Sequence, residues 1–147
     1  MAAFTHNLNV IARCTQMQRG QRLKALGICG GQVPYLLRLC RFPGQTQEEL
    51  AQALYVNKST AARQITSLER AGFVERRPST QDRRCLCVYP TERALEALPT
   101  LHEVVQEWSD YLLDGLDGSE RQMLIALMER ISERAQTYIQ REVGWDI

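Results

Sequence analysis

Between Thr46 and Gly72 the chain reads TQEELAQALYVNKSTAARQITSLERAG, and no other stretch constrains the fold as tightly. Thr46 with Glu49 is a capping box, in which hydroxyl and carboxylate satisfy each other's backbone donors. The helix it opens runs through Leu50 and Ala53. Asn57 is a good N-cap for a second helix. In that helix Ala61, Ile65 and Leu68 recur on one stripe, the spacing of a buried face. Gly72 suits the left-handed position that closes a helix. Two short helices around a turn spanning Leu54 to Asn57 form the layout of a helix-turn-helix.

The second of these helices has a distinctive outer face, made of Lys58, Ser59, Thr60, Arg63, Gln64 and Ser67. All can donate hydrogen bonds, and no carboxylate occurs until Glu69. An ordinary surface helix mixes acids with bases in i,i+4 pairs. A helix entering the major groove needs donors instead: free N–H groups for phosphate at its N-terminus, and Arg or Gln for guanine or adenine edges. A winged helix serving only as a protein-binding module predicts acids or large apolar residues on this face, and they are lacking.

Directly after it, FVERRP and CLCVYP predict two strands around an STQD turn. The segment Arg76–Tyr89 holds four arginines and one aspartate. One acid cannot pair Arg76, Arg77, Arg83 and Arg84, so surplus charge is left for a partner. A narrow minor groove attracts arginine. Strand alternation would send Arg83 and Arg84 to opposite faces, making one the groove residue and the other a phosphate contact. Asp82 reads as a brace for an arginine through a charge-assisted hydrogen bond. Arg76 and Arg77, at the base, are expected near phosphates.

The charge is unevenly spread. Residues 57–84 carry seven bases and three acids, whereas 85–147 carry five bases and twelve acids, although the whole chain is only +1. The middle is therefore suited to an anionic partner. The rest reads as helix: about 4–25 (Phe4, Leu8, Ile11, Leu23), about 32–41 with Pro34 in its first turn, and a long one capped by Thr91 (Leu95, Leu98, Leu101, Val105, Trp108, Leu112). After a break at Leu116–Ser119, with Ser119 and Gln122 as a cap, comes a last helix carrying Met123, Leu124, Leu127, Met128, Ile131, Tyr138 and Ile139.

A chain of 147 residues is the size of one domain. No apolar run approaches the ~20 residues of a membrane span, and the N-terminus lacks the order of a signal peptide, so cytoplasm is the expected compartment. The five cysteines, Cys14, Cys29, Cys40, Cys85 and Cys87, are an odd number, and Cys85 and Cys87 do not form a CxxC pair. They share one strand face and are too close for a relaxed disulfide. With His6 and His102 far apart in sequence, no zinc site, cofactor or catalytic centre is expected.

Taken together the residues resemble the MarR family of winged-helix transcription regulators. The similarity begins at GICGGQVPYLL and continues through TQEELAQALYVNKSTAARQITSLERAGFVERRPSTQDRR. Asp82-Arg83-Arg84 is similar to the family's Asp-x-Arg wing signature, which makes Arg84 the minor-groove arginine and Asp82 its brace. Pro90, where the family usually has leucine, and Ala94, for a frequent glycine, depart from the pattern. The resemblance implies a mostly α fold: a winged helix-turn-helix lobe over about 27–93, with a two-stranded β-wing, and dimerisation helices over about 1–26 and 94–147 of a single domain. It implies a homodimer on a near-palindromic double-stranded operator, acting as a repressor and released by a small aromatic or anionic effector. Ile131, Tyr138, Ile139, Val143 and Trp145 extend an apolar surface that Phe4, Leu8 and Ile11 could meet across such a dimer.

Candidates for the effector crevice are His6, Arg13, Tyr35, Arg38 and Trp108, since an arginine beside aromatic rings suits a phenolic carboxylate. The alternative is an oxidant-sensing regulator of the same fold. Cys14, with Arg13 beside it, is the candidate thiol, because a neighbouring cation favours thiolate.

Overall fold

The computed structural model describes residues 2–144, so Trp145, expected on the apolar surface, falls outside the described residues. The elements are α1 (Ala2–Leu23), two 3-10 turns (Lys24–Leu26 and Gly30–Gln32), α2 (Val33–Arg41), β1 (Gln45–Thr46), α3 (Gln47–Leu54), α4 (Lys58–Arg70), β2 (Val74–Pro78), β3 (Leu86–Pro90), α5 (Glu92–Leu113) and α6 (Gly118–Tyr138), ending in a π-helical turn (Ile139–Val143). The fold is mostly helical with a small antiparallel sheet, as expected. The chain divides into two compact units, Met1–Trp108 and Ser109–Ile147.

In the first unit the helix-turn-helix forms around one core. Leu50, Ala61, Ile65 and Leu68 bury completely with Leu36, Leu39, Phe73 and Val88. Both expected caps are present. Thr46 Oγ1 accepts from the Glu49 N–H at 3.1 Å, and Glu49 Oε2 accepts from the Thr46 N–H at 3.2 Å. Asn57 Oδ1 accepts from the Thr60 N–H at 2.7 Å. Gly72 adopts φ +82°, the left-handed conformation that glycine enters without Cβ strain. Tyr55 takes the same region at φ 54° without that freedom, and its N–H closes α3 by bonding the Ala51 and Gln52 carbonyls. Gly30 is fixed by space: a Cβ there would lie 2.0 Å from the Gln16 carbonyl oxygen of α1.

Several details depart from the sequence expectations. The sheet has three strands in the order β1-β3-β2, because Gln45 and Thr46 pair with Val88 and Cys87. The Thr91 hydroxyl donates to the Gly72 carbonyl at 2.6 Å, tying the start of α5 to the end of α4. Within α5 the buried stripe is Ala94, Ala97, Leu101 and Val104, whereas Leu95 and Leu112 face outward. Ala94, the departure from the family pattern, is thus a core residue. Of α1, only Leu23 is buried.

In the second unit the cap of α6 is Asp117 with Glu120, not Ser119 with Gln122: Asp117 Oδ1 accepts from the Glu120 N–H at 2.9 Å. The chain enters the helix two residues earlier, and aspartate caps as well as serine does. No residue of α6 is buried, and Met123, Leu124, Ile125, Leu127, Met128 and Ile131 all lie exposed.

Candidate nucleic-acid interface

The outer face of α4 is built by its cap and stripe. Burial of Ala61, Ile65 and Leu68 turns the remaining positions outward. Lys58, Ser59, Arg63 and Ser67 are exposed, and Thr60 and Gln64 are half-buried. Asn57 Oδ1 also accepts from the Ser59 hydroxyl at 2.9 Å, and an Arg63 Nη2 donates to Thr60 Oγ1 at 3.3 Å. Lys58 lies 3.2 Å from Glu48, with both side chains about half exposed. A pair that exposed contributes little and is readily exchanged for another anion. Of the six, all but Ser67 thus cluster over the first two turns of α4, and Ser67 follows one turn later.

The wing is β2 and β3, paired from Val74 opposite Pro90 to Pro78 opposite Leu86. Its loop, residues 79–85, is held by short-range bonds. The Ser79 N–H reaches the Cys85 carbonyl at 2.8 Å, and the Cys85 N–H reaches the Asp82 carbonyl at 3.0 Å. Arg83 and Arg84 lie in this turn rather than in β3, so strand alternation does not govern where they point. Cys85 also lies in the turn, which leaves only Cys87 on the strand. Both arginines are exposed, and neither guanidinium has a hydrogen-bond or ion-pair partner among the described residues. Asp82 braces the turn through the backbone: its Oδ1 accepts from the Arg84 N–H at 3.0 Å. The expected carboxylate–guanidinium bond is replaced by this local turn bond, which aspartate forms readily.

Arg76 is placed differently from the expectation of a phosphate contact. Its side chain is 17% exposed. The guanidinium donates to Glu69 Oε1, Gln47 Oε1, the Ala62 carbonyl and Thr66 Oγ1, at 3.0–3.3 Å. It is occupied in joining the wing to α3 and α4. Arg77 pairs with Glu75 and lies over the Tyr89 ring at 4.7 Å. The acids that engage Arg76 and Arg77 stand outside the loop, so the charge surplus narrows to Arg83 and Arg84. Between the wing and the N-terminal ends of α3 and α4 lies an open groove of about 310 Å³, lined by Thr46, Gln47, Glu48, Lys58, Arg84, Cys85 and Leu86.

The five effector candidates are spread over α1, α2 and α5. His6 and Arg13 are exposed on α1, as is Cys14. The Trp108 Nε1–H donates to Thr15 Oγ1 at 2.8 Å. Arg38 donates to Gln45 Oε1 at 3.1 Å and covers Phe42 at 4.3 Å. Tyr35 is buried, its hydroxyl has no hydrogen-bond partner among the described residues, and desolvation pushes its pKa up. Two side chains that the sequence did not single out share this condition: Gln18 Oε1 and Arg19 Nε are also buried and unpaired, and burial lowers the Arg19 pKa. No periodicity marks a polar group as buried. Among the described residues no cluster of three or more metal-ligating side chains occurs, and no helix is long and apolar enough to cross a membrane.

The model of the MarR family matches residues 31–86, from the second 3-10 turn into β3. An uncharacterized HTH-type transcriptional regulator of Bacillus subtilis, YybA, is 31% identical over 144 residues, 96% of each chain. A MarR transcriptional regulator from Methanosarcina mazei superposes with a TM-score of 0.89 at 29% identity, over 93% of this chain and 99% of that one. A putative MarR family regulator from Listeria monocytogenes, solved in complex with a 26mer DNA, superposes with a TM-score of 0.84 at 25% identity, over 94% of each chain. By fold, by the helix-turn-helix and wing that build this surface, and by relatives aligned along nearly its whole length, the chain belongs to the MarR family of winged helix-turn-helix transcriptional regulators.

Proposed function

We propose that the protein is a homodimeric repressor of a near-palindromic DNA operator. In each subunit α4 enters the major groove, where Arg63 and Gln64 read base edges and Lys58, Ser59 and Thr60 meet the backbone. Arg84 enters the adjacent minor groove, with Arg83 on phosphate and Arg77 near the rim. The observation that carries this reading is the pair of unengaged guanidiniums at 83 and 84, beside a helix face free of carboxylates. Arg76 is assigned to holding the wing in place. That a Listeria relative was solved in complex with a 26mer DNA supports DNA as the partner.

The exposed apolar row of α6 and the exposed Phe4, Leu8 and Ile11 of α1 support the dimer, since exposed apolar surfaces of this kind mark association sites. Two copies would address half-sites ~34 Å apart. Release by a small anionic aromatic is supported by the buried Tyr35 hydroxyl, which offers an unused hydrogen bond. Selection of bound sequences from random duplex DNA tests the core of this reading. The result expected is an inverted repeat. Repeating the binding with a panel of aromatic acids, and with peroxide, distinguishes effector release from oxidation at Cys14. Absence of any enriched sequence at low salt refutes the proposal.

A further inference from the structure

Gln32 is a buried amide side chain, 3% exposed, at the junction of the second 3-10 turn and α2. Its two amide ends are told apart by their partners. The Cys29 backbone N–H can only donate, and it does so to Gln32 Oε1 at 2.9 Å. Gln32 Nε2 must therefore face the other way, where it donates to Ser67 Oγ at 3.0 Å. A hydroxyl that accepts from an amide has its own proton left to give. A helical serine often returns that proton to the carbonyl one turn back. Here it has no acceptor among the described residues, and Ser67 is exposed on the outer face of α4.

The geometry points to Gln32 as a positioning residue for DNA binding: it fixes Ser67 as a hydrogen-bond donor directed at a phosphate oxygen. This rests on the proposed DNA reading and deepens it. Phosphate oxygens only accept, so a hydroxyl locked as donor suits them. The N-terminal residues of a recognition helix contact bases, whereas Ser67 stands in the third turn of α4, where the backbone is the nearer neighbour. The same 3-10 turn passes close to the helix again: a Cβ added at Gly31 would lie 3.8 Å from Gln64 Nε2.

The test is a double-mutant cycle on operator affinity with the full-length protein. Ser67→Ala is expected to weaken binding about tenfold, the value of one hydrogen bond to a charged acceptor. Gln32→Met, which leaves the hydroxyl undirected, should weaken binding several-fold in the Ser67 background and not at all beside Ser67→Ala. Gln32→Glu keeps the bond to the Cys29 N–H and turns the Ser67 proton inward. The cycle subtracts its through-space charge effect, so this variant carries the test if Gln32→Met does not fold. A phosphate contact also requires that both losses be the same on the operator and on unrelated duplex. Equal loss from a Gln32 substitution with and without the serine hydroxyl overturns the inference while leaving DNA binding intact. A wild-type protein that binds no duplex overturns both.

Discussion

Arg76 meets Glu69 twice: its backbone N–H donates to Oε2 and its guanidinium to Oε1, each at 3.2 Å. One carboxylate near the end of α4 thereby holds both the path of β2 and the side chain that reaches across to α3. Helix α4 and the wing are joined by this arginine as well as by the chain between them.

Removing that joint should cost stability before it costs chemistry. Arg76→Ala leaves Gln47, Ala62, Thr66 and Glu69 without their common donor, and is expected to destabilise the fold by about 2–3 kcal/mol. Arg76→Lys keeps the charge but not the planar fork, and should recover only part of the loss. Urea unfolding followed by circular dichroism measures both. A midpoint unchanged in Arg76→Ala would return this residue to the phosphate-contacting role that the sequence suggested.

The wing tip should behave in the opposite way. Arg84→Ala removes an exposed guanidinium with no partner among the described residues, so its melting temperature should match wild type. Operator affinity should fall about 10- to 100-fold, and the log–log salt slope should flatten by about 0.9 per arginine lost. Asp82 separates two kinds of bracing. Asp82→Asn keeps an oxygen for the Arg84 N–H and sheds a negative charge, so it should bind DNA at least as tightly as wild type. Asp82→Ala loses the turn bond and should bind more weakly. Fluorescence anisotropy on a labelled operator ranks the three, and a weaker Asp82→Asn would favour a direct carboxylate–arginine brace.

The cap of α4 can be tested apart from DNA. Asn57→Ala removes the acceptor of the Thr60 N–H and is expected to cost about 1 kcal/mol, while Asn57→Asp should be nearly neutral. Thermal unfolding of the two variants reports the difference directly.

What the sequence conveyed here depended on range. Thr46 with Glu49, Asn57 and Gly72 act within one helical turn of themselves, and their roles were legible from spacing. Arg76 was misplaced because its partners stand 7 to 29 residues away in the chain. Gln32 was overlooked as a site residue for the same reason, its contact to Ser67 spanning 35 positions. β1 is two residues whose strand character comes from pairing with β3, so no alternation could announce it. Arg83 and Arg84 were read as strand because the turn that bends them depends on Asp82 accepting a backbone N–H, a local choice that aspartate offers but does not dictate.

The apolar row on α6 calls for a test of association. Leu127→Glu combined with Ile131→Glu puts two charges on a surface that is exposed in the single chain, and so should leave helix content unchanged. Sedimentation velocity should find a dimer for wild type and a monomer for the double variant. A wild-type monomer at micromolar concentration would remove the dimer from the proposal.

Cys85 gives a pH-dependent prediction with a definite sign. The Asp82 carboxylate, first by its charge and further by accepting a hydrogen bond from the thiol at 3.8 Å, raises the Cys85 pKa above the ordinary thiol value. The folded chain therefore holds this proton more tightly than the unfolded chain does. Whatever stability the contact contributes is complete below the unfolded thiol pKa and is lost as pH rises through the higher folded one. Because thiolate is the reacting form, alkylation of Cys85 by iodoacetamide should require more alkaline pH in the native protein than in Asp82→Asn. Mass mapping of the modified cysteine across a pH series reads this out, and identical profiles for the two proteins would refute the contact. A thiol whose proton is held more tightly is a poorer nucleophile, so any peroxide response of the protein should survive Cys85→Ser.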